Sequence, residues 1–248
     1  MSVSASIKGF FVTGSDTNVG KTIITASLSL ALTNRGKRVC AIKPVASGCN
    51  RIGKQLFNDD ALLLQQYNAN YNLAYADINP FAFREAIAPH LVAKKSDIKL
   101  TVTSIIKKTQ RALVCNADFI IVEGAGGWFT PLNSRETMAD LAKAYGYPVI
   151  LVVGIRLGCI NHAFLTYQCI QTSGVQIAGW IANVIDRKML YLRENILSIQ
   201  RGIEAPLLGI VPYVKEVNPN KVYQFLQLTK ILKRSHRKRK KEFSHCNL

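Results

Sequence analysis

The chain has 248 residues, with 32 Lys and Arg against 15 Asp and Glu, for a formal net charge of +17. That length bounds it to one or two domains, and 48% hydrophobic with 19% charged residues excludes wholesale disorder. Apolar runs stay short of the ~18 residues a membrane span needs and the N-terminus does not read as a secretory signal, while so basic a balance raises nucleic acid or an anionic surface as a partner.

In chain order, the first strand-like run is Gly9–Thr13. It leads into Gly14-Ser15-Asp16-Thr17-Asn18-Val19-Gly20-Lys21-Thr22 and a helix expected over Lys21–Asn34. A turn between a strand and a helix N-terminus lets successive backbone N–H groups converge on phosphate oxygens. Lys21 would then reach the β- and γ-phosphates, and the Thr22 hydroxyl would hold Mg²⁺. The familiar spacing G-x-x-x-x-G-K-[ST] wants glycine at position 15, yet Ser15 stands there and Gly14 comes one residue early.

The second run, Val39–Ile42, ends in Lys43-Pro44-Val45-Ala46-Ser47-Gly48. Lys43 is either a second cation in the same crevice or a surface lysine on a turn. A helix over Asp59–Tyr67 follows, with Asp59 and Asp60 in its first turn, where acids also serve the helix dipole. Over Asp97–Asn116, Ile98, Val102, Ile105, Ile106 and Leu113 share one helical face. The third run, Phe119–Val122, gives way to Glu123-Gly124-Ala125-Gly126-Gly127, so a carboxylate is expected at a strand's carboxyl end, before a flexible glycine-rich loop. Helices over Thr137–Tyr145, Asn161–Ser173 and Lys188–Arg201 then alternate with the runs Val149–Val153, Ile177–Ile181 and Leu207–Val211.

Runs this continuously apolar read as buried strands of a parallel sheet. Their alternation with helices predicts one α/β domain, a doubly wound, mostly parallel sheet flanked by helices, with ligands at the carboxyl ends of the strands. The domain is expected to span residues 1–229. Residues 230–248 form a basic extension, of which KILKRSHRKRKKE alone carries +7, and like-charge blocks of this kind read as disordered. A solvated tail is favoured there over a nucleic-acid arm. The six cysteines show no C-x-x-C pair and no ligand spacing with histidine, as expected of reduced thiols in a cytoplasmic protein.

Three of these segments, Phe10–Thr22, Lys43–Gly48 and Glu123–Gly127, carry a resemblance. So do Pro148–Gly154, Leu157-Gly158-Cys159-Ile160-Asn161-His162 and Gly179-Trp180-Ile181-Ala182-Asn183. From about residue 8 to residue 220 the sequence resembles the dethiobiotin synthetase family of P-loop enzymes. The resemblance implies an ATP-dependent ligase of biotin biosynthesis, acting on 7,8-diaminononanoate and CO₂ with Mg²⁺ as cofactor, and a homodimer. It implies Lys21 and Lys43 as catalytic groups and Thr22, Asp60 and Glu123 as metal ligands. Nucleotide contacts would come from Asn18, Val19, Gly20, Lys21, Thr22, Ile23, Asp60, Glu123, Gly124, Ala125 and Gly126, with Asn183, Val184, Pro212, Tyr213 and Val214 around the base. Thr17, Lys43, Ser47, Gly158, Cys159 and Asn161 would contact substrate. Asn18 stands where the family often has Glu, and Val184 where Asp is common. A partitioning-type ATPase that binds DNA or membrane shares the same core, but such proteins carry a second lysine early in the loop, and Ser15–Val19 holds none.

Overall fold

The apolar runs assemble into one sheet, in a computed structural model that describes residues 8–68 and 71–229. The basic extension at 230–248 lies outside the described residues. In chain order the elements are β1 (Lys8–Gly14), α1 (Lys21–Thr33), β2 (Val39–Ile42), β3 (Val45–Ala46), β4 (Asn50–Ile52), β5 (Gln55–Phe57) and α2 (Asp59–Gln66). Then come α3 (Tyr75–Ile78), β6 (Phe81–Ala82), α4 (Pro89–Lys95), α5 (Val102–Leu113), β7 (Phe119–Gly127) and α6 (Met138–Tyr145). The last are β8 (Val149–Ile155), α7 (Cys159–Thr172), β9 (Ile177–Val184), α8 (Leu192–Gly202), β10 (Leu207–Val211) and α9 (Pro219–Val222).

Six strands pair in the order β10-β9-β8-β1-β7-β2, every pair parallel. Successive side chains point to opposite faces, so each strand feeds two cores. Phe11, Val122, Leu151 and Trp180 meet α5 to α8 through Ile105, Met138, Ala163 and Ile196. Phe10, Val12, Ile121 and Ile150 meet α1 and α2 through Ile24, Leu28 and Leu64. With both faces covered, the central strands can be apolar throughout, which is why their runs lack a polar alternation. β1 sits at the centre, between β7 and β8. The loop that leaves its carboxyl end therefore emerges at the middle of the sheet.

Both edges of this sheet carry added partners. The Asn68 side chain docks on edge strand β2, accepting from Ala41 N–H at 2.6 Å and donating to Ala41 C=O at 3.1 Å. On the far edge, Gly209 of β10 bridges antiparallel to Leu226.

Several expected boundaries move. The helix expected over Asp97–Asn116 begins only at Val102, because Asp97 takes φ 51° and Thr101 caps the helix reciprocally with Ser104. Ile98 consequently lies before the helix and is exposed, whereas Ile105 is buried. Glu123 does not close its strand: β7 runs on to Gly127, and Glu123 pairs opposite Val12. The glycines after it are strand, not a flexible loop. α7 starts at Cys159, two residues earlier than expected, and α8 at Leu192, four residues later. Among the described residues no helix is long and apolar enough to cross a membrane.

Candidate functional site

The loop between β1 and α1 is built by close packing on itself. A Cβ on Gly14 would lie 2.6 Å from Val19 Cγ2 and 2.8 Å from Asp16 O. The displaced glycine of the motif thus stands where the loop folds back over its own start. Asn18 and Gly20 both take left-handed conformations, with φ 58° and 90°, and asparagine is among the few side chains that tolerate this. Gly20 caps α1, so Lys21 and Thr22 open the helix, where the first N–H groups have no partner within it.

Beside this loop lies a cavity of about 940 Å³ at the carboxyl ends of β1, β2 and β7. Of the residues expected from sequence, Thr17, Asn18, Gly20, Lys21, Thr22, Ile23, Lys43, Ser47, Asp60, Glu123, Ala125 and Gly126 line it. Lys43 is no surface lysine; its side chain is 8% exposed, and its Nζ donates to Glu123 Oε1 at 2.7 Å and Asp60 Oδ2 at 2.5 Å. Thr22 Oγ1 donates to the same Glu123 Oε1 at 2.7 Å. Lys21 Nζ turns back to donate to Asp16 O at 3.1 Å. Four functional side chains from α1, β7, α2 and the end of β2 thus share one spot.

The two lysines differ electrostatically. Burial depresses the Lys21 ammonium from its ordinary 10.5 to about 8; Glu123 pulls it back up and the neighbouring Lys43 pushes it further down. For Lys43 burial also disfavours the charge, but the Glu123 and Asp60 carboxylates outweigh it and hold its pKa above the ordinary lysine range. The second carboxylate oxygen, Glu123 Oε2, is buried without a hydrogen-bond partner, as is Ser47 Oγ. An orphaned buried carboxylate oxygen beside a threonine hydroxyl and a second carboxylate is a hard, all-oxygen donor set. Mg²⁺ favours such sets, being held by one or two carboxylates while substrate phosphates and water complete its shell. The residues fit that ion.

Other expected residues stand apart from this cavity. Val19 is buried beneath the loop, and Gly124 faces the Phe11 ring, where a Cβ would sit at 3.0 Å. Asn183, at the end of β9, donates through Nδ2 to Val19 O at 2.8 Å, so part of its amide supports the phosphate loop itself. Val184 is buried beside it, while Pro212 and Tyr213 are exposed and Val214 half-buried just after β10. Gly158, Cys159 and Asn161 open α7 and do not line the cavity. Conversely, Leu63, Ala86 to Pro89, Thr130, Pro131 and Val217 do line it, with no sequence motif to announce them. Apart from Thr130, these residues give the cavity an apolar share of its lining.

Comparison with known proteins converges on one family. A family model described as an AAA domain matches residues 8–221. The ATP-dependent dethiobiotin synthetase BioD of Pseudomonas paraeruginosa is 45% identical over 219 residues, covering 88% of this chain and 96% of the relative. The chain belongs to the dethiobiotin synthetase family. Membership makes it a ligase of an ATP-using, P-loop kind. The synthetases of Cellvibrio japonicus, 44% identical with 91% and 98% of the two chains covered, and of Escherichia coli O157:H7, 45% identical with 86% and 93% covered, agree with this. Solved structures of the septum site-determining protein MinD of Pyrococcus horikoshii and the cell division ATPase MinD of Pyrococcus furiosus share the fold, with TM-scores of 0.55 for both. The first is 19% identical, with 90% of this chain and 88% of that one covered; the second is 20% identical, with 91% and 98% covered. At that identity the likeness shows the shared fold alone.

Proposed function

We propose that this chain closes the ureido ring of dethiobiotin from 7,8-diaminononanoate, CO₂ and ATP. The observation that carries the reading is the cluster of Lys21, Lys43, Thr22 and Glu123 beside a phosphate-type loop, in a cavity that apolar residues also line. The charged groups suit a triphosphate and the apolar ones an alkyl chain with two amines.

In this reading one amine adds to CO₂, forming an N–C bond and losing a proton to give a carbamate. A carbamate oxygen attacks the γ-phosphorus as the bond to the β-phosphate oxygen breaks, leaving ADP and a carbamic–phosphoric anhydride. The second amine then attacks the anhydride carbon and gives up a proton, the ring closes, and phosphate leaves with the electron pair of the C–O bond and can take that proton. None of these steps needs an enzyme nucleophile, so positioning and charge carry the rate. The backbone N–H groups from Asn18 to Ile23 hold the phosphates, and Lys21 and Lys43 spread positive charge over the phosphoryl and carbamate oxygens. Ser47, with its unpartnered Oγ, and Thr17 orient the diamine. Thr22, Asp60 and Glu123 would hold Mg²⁺, which when bound offsets phosphate charge. Asn183, Val184 and Pro212 to Val214 form the rim for the base.

The α7 residues Gly158, Cys159 and Asn161 do not line this cavity, and in this reading they hold the substrate carboxylate across the interface between two copies of the chain. A homodimer is accordingly part of the proposal, and the 91% exposure of Leu157 just before α7 accords with it. The five cysteines among the described residues are all free thiols, which accords with a cytoplasmic setting. The single-domain boundary near residue 229 remains part of the same reading. The test is an assay of phosphate release with ATP and bicarbonate, with and without the diamine. Stoichiometric dethiobiotin and phosphate are expected; phosphate release indifferent to the diamine, with no dethiobiotin formed, would refute the proposal.

A further inference from the structure

Three bonds converge on Asp16, inside the phosphate loop. Its Oδ1 accepts from Thr17 N–H at 2.7 Å, its backbone carbonyl accepts from Lys21 Nζ at 3.1 Å, and its Oδ2 is paired with the Arg156 guanidinium. Arg156 is 140 residues away in sequence and lies just past the end of β8, the strand next to β1. It is itself held in a turn, because Cys159 N–H donates to its carbonyl at 3.0 Å as α7 begins.

The loop needs outside support. It carries two left-handed residues, Asn18 and Gly20, within three positions, a conformation that costs free energy at a non-glycine residue and persists only where surroundings fix it. On its β9 flank Asn183 supplies that support through Val19. On its outer side the fixed group is Arg156. We infer that Arg156 is a positioning residue for ATP: acting through Asp16, it sets the shape in which the loop presents Thr17, Asn18 and Lys21 to the phosphates. The inference deepens the proposed function and rests on reading this loop as the triphosphate site.

Charge alone and positioning make opposite forecasts at Asp16. Removing an acid beside a tetra-anionic nucleotide would tighten binding electrostatically, whereas loss of the Arg156 anchor would weaken it. The experiment is a cycle of Arg156→Ala, Asp16→Asn and the double variant, with Arg156→Lys as the conservative control. Binding of the β,γ-imido analogue of ATP with Mg²⁺ and steady-state kinetics are measured on the full-length chain. Both single variants should weaken analogue binding and raise the KM for ATP about tenfold, with a smaller change in kcat. The double variant should be no worse than the weaker-binding single one, and Arg156→Lys should recover part of the loss. Tighter binding by Asp16→Asn, or additive losses in the double variant, would overturn the inference, the second by showing that Arg156 meets the nucleotide directly. Because the cycle is read from analogue binding, a protein that ignored the diamine would fail the proposed function alone.

Discussion

Replacing Lys43 by methionine tests how the charged cluster is balanced. The aliphatic stem survives the change, so packing is largely kept and the loss is electrostatic. Lys43 meets one fully buried carboxylate, Glu123, at 2.7 Å and one with 47% side-chain exposure, Asp60, at 2.5 Å. The half-exposed pair contributes at most about 1 kcal/mol, because solvent screens it. The buried pair decides the outcome: removing one partner leaves an uncompensated buried charge, at a cost of about 3–5 kcal/mol. Lys21 also interacts with Glu123, which points to the lower end of that range. Urea denaturation at neutral pH should therefore show Lys43→Met destabilised by about 3 kcal/mol. Adding Glu123→Gln should return at least half of it, since that change removes the stranded charge. A loss under about 1 kcal/mol in the single variant, or a double variant less stable than the single one, would refute this account of the cluster. Turnover should fall in both, as the proposed role of Lys43 predicts.

Lys21 gives a pH signature: with its free pKa near 8 and the bound triphosphate favouring the charged form, affinity for ATP should be flat below pH 8 and fall as pH rises past it. Calorimetry at pH 8 in buffers of different ionisation enthalpy should then report uptake of ~0.5 proton per nucleotide, and no buffer dependence would contradict it. Gly20→Ala forces a left-handed alanine, costing about 1–2 kcal/mol, and puts its Cβ 2.3 Å from Asn183 Nδ2. Losing the Asn183 bond to Val19 adds about 1 kcal/mol, so a thermal denaturation loss of about 2–3 kcal/mol is expected, with weaker nucleotide binding. Asn68→Ala strips two hydrogen bonds from Ala41 and should cost about 1–3 kcal/mol, with amide exchange at Ala41 accelerated in the folded state.

The sheet was legible because its strands are buried on both faces and their apolar runs need no periodic decoding. Val39–Ile42 and Leu207–Val211 have the bounds read from sequence. β7 overran its expected end because Glu123 is a charged residue that a strand tolerates only with Lys43 and Thr22 against it, partners that sequence reading cannot place. The cap at Thr101 was hidden inside one long amphipathic pattern, which Asp97 opens with a left-handed backbone rather than a helical one, and the short helix α4 before it was not read at all. In the site, Gly14 to Thr22 and Lys43 were readable as local motifs. The apolar lining from Ala86 to Pro89 and Val217 was not, since nothing but the fold brings those segments to the cavity. The same holds for Arg156, whose partner lies on another strand's loop.

The two side contacts on the outer strands matter beyond local stability. An open strand edge is a template on which another chain can pair and aggregate, and parallel sheets, whose partners are far apart in sequence, assemble slowly enough to expose such edges. Here the Asn68 amide imitates a neighbouring strand at Ala41, and the segment at Leu226 occupies β10. Both arrive from outside the sheet, one from the end of α2 and the other near residue 226. Truncation before Leu226, or loss of the Asn68 side chain, would thus be expected to leave catalytic residues untouched while lowering the yield of soluble protein on refolding.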